Sequence, residues 1–106
     1  MSILGQVDTD ATTDTDLYTV PAKKVATLRV FVVERAGGTP TFRIALRLAG
    51  ASLANKQYIV YERALAANEE FQTKPFELGE NDVVTVRASD GNISFNANGF
   101  EEPEVE

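Results

Sequence analysis

A chain of 106 residues with a formal net charge of −6, no cysteine and no histidine is long enough for one self-supporting domain. The two missing residue types exclude disulfides, thiolate chemistry, the commonest zinc ligands and every Cys-His or Ser-His-Asp arrangement. Residues 1–16 carry Asp8, Asp10, Asp14 and Asp16 and residues 101–106 carry Glu101, Glu102, Glu104 and Glu106, with no base at either end, and such acidic ends on a near-neutral body disfavour nucleic acid as a partner.

The start, Met1-Ser2-Ile3-Leu4-Gly5, has no basic region leading into an apolar core, and no apolar run approaches the ~20 residues of a membrane span, so neither a secretory leader nor a membrane partner is expected. Residues 1–16 read as an extended N-terminal arm, with Ile3, Leu4 and Val7 as an apolar plug and Thr9 to Asp16 close to low complexity. Its aspartates raise a calcium reading, but they lack the glycine and terminal glutamate of a calcium loop, so no metal is expected. The arm either is solvated or docks on a neighbouring subunit.

Leu17-Tyr18-Thr19-Val20 predicts a short strand, stopped by Pro21. The stretch Val25 to Ala49 is the element around which the chain is organised. Ala26, Leu28, Val30 and Val32 alternate with their neighbours in its first half, as do Phe42, Ile44, Leu46 and Leu48 in its second. Between them Gly37, Gly38 and Pro40 mark a turn, so the spacing predicts a long hairpin with one apolar face that needs a second layer over it.

Gly50 to Lys56 reads as a loop and Gln57 to Ala64 as a strand with apolar residues on both faces. One of Tyr58 and Tyr61 is expected to close the core edge with its hydroxyl in water, and the alternative is that the second lies in a subunit contact. Glu69 to Leu78 reads as a ragged strand interrupted by Pro75. Gly79 to Asp82 is a turn and Val83 to Ser89 a strand. Asp90-Gly91 then leads into Asn92 to Ala97, a second hairpin expected to cover the first. About seven to eight strands with turns every 8 to 12 residues argue for an all-β, antiparallel sandwich of jelly-roll-like form over residues 17–100, with 101–106 as a frayed acidic tail.

The sequence offers no constellation suited to catalysis. Glu69 with Glu70, Glu34 with Glu62, and Glu80 with Asp82 are available acid pairs, but adjacent surface acids are mostly solvated, and neither an enzyme nor a cofactor is expected. Gly37-Gly38 lacks the lysine and helix start of a phosphate loop. Arg29, Arg43, Arg47 and Arg87 alternate with apolar residues and project from a sheet face. That face is either plain solvated surface or a receiver for the acidic arm or tail of an adjacent copy, since guanidinium forks suit carboxylates.

Five segments together carry a resemblance: Leu17 to Ala22, Phe42 to Leu46, Leu53 to Glu62, Asp82 to Val86, and Ile93 to Asn96 with Gly99 and Glu101. In that order the chain resembles small, uncharacterised virion structural proteins of tailed bacteriophages and prophages. It departs from their usual pattern at Glu34-Arg35, where Asn-Arg or a similar polar pair commonly precedes the first turn. The resemblance implies a capsid decoration or cement protein, made in the host bacterial cytoplasm and found in the virion. Its partners would be other copies of itself, in trimers, and a virion protein such as the major capsid or tail protein, reached through the arm and a sheet edge. Ile3, Leu4, Val7, Arg29, Arg43, Arg47, Tyr58 and Tyr61 are the expected interface residues. The other role implied is a neck, tail or fibre accessory protein, serving as a host-glycan recognition module through Tyr58, Tyr61 or Phe100.

Overall fold

Between residues 17 and 100, alternation of apolar and polar residues places strands where the sequence leads one to expect them, and turn chemistry decides where they end. The computed structural model describes residues 2–104. Nine strands form: β1 (Ser2–Asp8), β2 (Thr15–Thr19), β3 (Lys24–Glu34), β4 (Thr41–Arg47), β5 (Tyr58–Ala64), β6 (Glu70–Gln72), β7 (Phe76–Leu78), β8 (Val83–Ala88) and β9 (Ile93–Pro103). Two short 3-10 turns, Leu48–Gly50 and Asn55–Gln57, bridge β4 to β5. Pro75 splits the ragged strand into β6 and β7, and both halves pair with β3.

The strands make two antiparallel sheets packed face to face. One runs β1-β9-β3-β6, with β7 also on β3, and the other runs β2-β8-β4-β5. Successive strands mostly cross from one sheet to the other, which makes the sandwich a jelly roll. The two expected hairpins therefore do not form. β3 and β4 lie in opposite sheets, as do β8 and β9. Gly37-Gly38 and Asp90-Gly91 turn the chain as expected, but into arches across the core rather than into paired ribbons. The layer that covers the apolar face of β3 is thus the sheet of β4.

The core between the sheets is formed by Leu28, Val30 and Val32 of β3, Ile93 and Phe95 of β9, Phe42 and Ile44 of β4, and Val84 and Val86 of β8, all buried. Phe42 links the layers, with ring centroids 5.4 Å from Phe71 and 6.2 Å from Phe95. Two glycines permit close backbone approach. A Cβ on Gly99 would lie 2.0 Å from the Thr27 carbonyl oxygen, and one on Gly5 would lie 2.2 Å from that of Leu17.

The leader and tail are more ordered than their composition implies. Residues 2–8 of the expected arm are strand β1, which pairs with β9 from Ser2 opposite Gly99 to Asp8 opposite Ser94. The sandwich therefore starts well before residue 17. Glu101, Glu102 and Pro103 of the expected tail continue β9 against Lys24, Val25 and Ala26. Glu104 follows, donating its N–H to the Lys23 carbonyl at 2.9 Å, and the last two residues of the tail, Val105 and Glu106, lie outside the described residues, as does Met1. Register is continuous in the central pairs β3–β9 and β4–β8, whereas the pairs that include the outer strands β1, β2 and β5 each contain a shift.

A carboxylate ties the loops at each end of the sandwich. Glu34, 1% exposed, accepts backbone N–H groups from Ala36 at 3.0 Å, Gly37 at 2.7 Å and Asn68 at 2.9 Å. The Asn68 bond, aided by those from Ala36, Gly37 and Gly38, holds the Glu34 carboxyl below the usual range against the opposing effect of desolvation. At the other end Asp82 accepts from Ala49 at 2.7 Å and Gly79 at 2.8 Å.

Candidate functional site

Of the expected interface residues, Arg43, Arg47, Tyr58 and Tyr61 lie on the outer face of the four-stranded sheet and Ile3 and Arg29 on that of the five-stranded sheet, whereas Leu4 and Val7 turn inward. On the four-stranded sheet, Arg43 and Arg47 project outward from β4 beside Arg87 of β8, with Arg43 directly opposite Arg87 in the ladder. Like charges placed opposite one another repel, so this pair needs anions nearby. The fold supplies them from the same chain. Arg43 pairs with Glu62, which also accepts the Thr41 hydroxyl at 2.7 Å. Arg87 lies 3.6 Å from Asp14, and Arg47 lies 3.1 Å from Asp16. Arg47 donates to Thr85, whose hydroxyl donates in turn to Asp16 at 2.9 Å. Hydrogen bonds from the Thr41 hydroxyl and then Arg43 hold the Glu62 carboxyl below its usual range.

The four arginines do not form one row, because Arg29 falls on the five-stranded sheet. Of the three on this face, Arg47 and Arg87 receive the acidic leader, but the leader of their own chain, and Arg43 takes Glu62 instead. On this face the guanidinium groups are neutralised internally, which leaves little net charge for an acidic tail of another copy. Arg35, at the end of the other sheet, likewise faces Asp8 at 3.8 Å.

Tyr58 and Tyr61 come together on the outer strand β5, edge to face at 4.9 Å between centroids. The Arg43 guanidinium sits 4.5 Å above the Tyr61 ring and 5.7 Å from that of Tyr58. With Asn55 the two rings line an open depression of about 420 Å³. Exposed Leu48 and Ile59 lie nearby, lining a second depression with Leu46 and Gln57. On the inner side of β5, Arg63 covers the Phe71 ring at 4.5 Å and closes that flank of the sandwich.

The other expected residues lie on or beside the five-stranded sheet. Leu4 and Val7 pack against the chain's own core, while Ile3 is 59% exposed. Ile3 is opposite Asn98, which is opposite Arg29. The next row across the sheet reads Gln6, Asn96, Phe31 and Gln72, and the one after it Asp8, Ser94, Val33 and Glu70. Phe100 lies further along β9, opposite Thr27. Sequence reasoning singled out the arginines and tyrosines and overlooked these amide rows. The signal was present in the spacing of Asn96 and Asn98, which places both on the face opposite Phe95 and Ala97.

Phe31 and Val33 form a ridge between two depressions. One, of about 360 Å³, is bounded by Gln6, Asp8, Ser94 and Asn96, and the other, of about 180 Å³, by Glu70 and Gln72. Arg29 donates to the Gln72 side chain at 3.2 Å, and Asn98 to that of Asn96 at 3.3 Å. Among the described residues the buried Arg29 Nε has no hydrogen-bond partner.

Fold and faces define the chain as an antiparallel jelly-roll sandwich with one salt-bridged outer face and one rich in amides. No protein-family model, curated protein or solved structure matches it.

Proposed function

We propose that this chain is a bacteriophage virion structural protein, a capsid decoration or cement protein that docks on the particle through its N-terminal strand and the edges of its sheets. The observation that carries this reading is the placement of exposed apolar side chains at both lateral edges. Ile3 stands on β1 at one edge, and Ile59, 46% exposed, with Tyr61, 58% exposed, stands on β5 at the other. Unlike patches on opposite edges favour head-to-tail contacts, which close into rings or extend over a lattice. A trimer is the expected ring. Symmetry multiplies each weak contact, so small apolar patches suffice when many copies bind together. Jelly rolls are frequent among viral capsid domains, a likeness at the level of fold only.

In each candidate acid pair at least one member is committed elsewhere, which favours a non-catalytic role. Glu34 is held by backbone N–H groups, Glu62 pairs with Arg43, and Glu69 accepts from the Ala66 N–H at 2.7 Å. The test is mass spectrometry and cryo-electron microscopy of purified particles from cells whose phage or prophage encodes the chain. The chain is expected on the outer shell at a symmetric copy number. Ile3→Asp and Ile59→Asp should melt like the parent yet be lost from particles. A wild-type chain absent from particles, or full occupancy by both folded variants, refutes the proposal.

A further inference from the structure

We propose that the outer face of the five-stranded sheet is a binding site for an uncharged oligosaccharide, with the Phe31 ring as its platform. This inference stands apart from the decoration reading, which uses the lateral edges, and either can fail without the other.

The argument rests on what the register places side by side. Phe31 is flanked across the ladder by Asn96 on β9 and Gln72 on β6, and Gln6 extends the same row on β1. A pyranose ring has a C–H-rich face, which packs on an aromatic ring, and an edge of adjacent hydroxyls, each both donor and acceptor. A carboxamide holds a donor and an acceptor in one plane and so matches a pair of neighbouring hydroxyls. Regular strands fix the backbone beneath these amides, so ordering them on binding costs little.

The depressions on either side of the Phe31–Val33 ridge give room for consecutive sugar units, and the larger, about 360 Å³, is within the roughly 300–1,000 Å³ of small-ligand sites. Arg29 stands in the neighbouring row and holds the Gln72 side chain through its guanidinium at 3.2 Å.

Charge and apolar area disfavour other occupants. Asp8 and Glu70, in the row of Val33, are balanced by Arg29 and Arg35, with Arg35 facing Asp8 at 3.8 Å, so the face offers a polyanion no net positive charge. The exposed apolar area in these rows is modest, with Phe31 half-buried and Val33 39% exposed, whereas the centre of a protein contact is largely apolar.

The probes are cellobiose, maltose, lactose and N,N′-diacetylchitobiose with their longer oligomers, titrated into the 15N-labelled full chain by NMR, alongside a glycan array. At least one series is expected to shift the amides of Gln6, Phe31, Gln72 and Asn96 together. Phe31→Ala and, independently, the exposed Gln72→Ala should weaken binding by about tenfold, the equivalent of one lost stacking or bidentate contact. Gln72→Ala keeps the test decisive should Phe31→Ala fold poorly. The inference is overturned if nothing in the panel or on the array binds, if shifts centre on Tyr58 and Tyr61, or if Gln72→Ala binds as the parent does. It is also overturned if the same amides move on simple dilution, which would mean that a second copy covers the face.

Discussion

Phe42→Ala tests whether the two layers are joined as described. Phe42 is fully buried and bridges the sheets through Phe71 and Phe95. Truncating such a ring removes its burial and leaves a cavity, together costing about 3–5 kcal/mol. With an unfolding entropy of about 2.1 cal/mol/K per residue, a 106-residue chain changes by about 220 cal/mol/K, so a loss of 4 kcal/mol lowers the melting temperature by about 18 K. Urea denaturation followed by circular dichroism reads the free energy directly, and the slope with denaturant should not change. Tyr61→Ala, at an exposed ring on the outer face, is the control and should cost about 1 kcal/mol or less. A loss below about 1.5 kcal/mol for Phe42→Ala would mean that the sheets do not pack through this ring.

Gly99→Ala should destabilise by about 1–3 kcal/mol, because its new methyl meets the Thr27 carbonyl and the Leu28 backbone, neither of which can rotate away. Gly91→Ala, whose nearest neighbour is the Thr9 carbonyl oxygen at 3.8 Å, should be near neutral in the same urea assay. The Glu34 carboxyl titrates below its unfolded value, so its contribution is present above the ordinary glutamate range and lost as pH falls through the depressed folded value. Thermal melts from pH 7 to pH 3 should therefore show an acid limb that Glu34→Gln makes shallower, and an unchanged limb would refute the assignment. Asp16→Asn should cost under about 1 kcal/mol, and less in high salt, since its partnership with Arg47 is half-exposed.

The strands were legible in the sequence because alternation in Val25 to Val33, Phe42 to Leu46 and Val83 to Ala88 is a local property. Strand pairing was not. A glycine-rich turn reverses the chain equally well into a hairpin or an arch, and in both cases the apolar residues of β3 and β4 point to the same core. The leader misled for a related reason: Gly5 and Gln6 interrupt its apolar pattern, and the strand exists because β9 offers it a ladder. Glu34 read as one member of a surface acid pair, although a carboxylate just before Ala36-Gly37-Gly38 is well placed to collect the N–H groups of that turn. Arg43, Arg47 and Arg87 were visible as a row from spacing. That Arg29 falls on the other sheet, and whose aspartates meet Arg47 and Arg87, depends on sheet membership and on how the leader returns along β8, both non-local matters.

The shifts of register at β1, β2 and β5 bear on life at high local concentration. A straight strand left open at the side of a sandwich invites the next molecule to add to it, and molecules crowded on one scaffold would zip into ribbons. Here three flanks are kinked and the fourth, β6 and β7, is cut by Pro75 into pieces of three residues, while the interior ladders stay regular. Neighbours must therefore meet by fitting side chains rather than by extending a sheet, a mode of association that stops when the fit is complete.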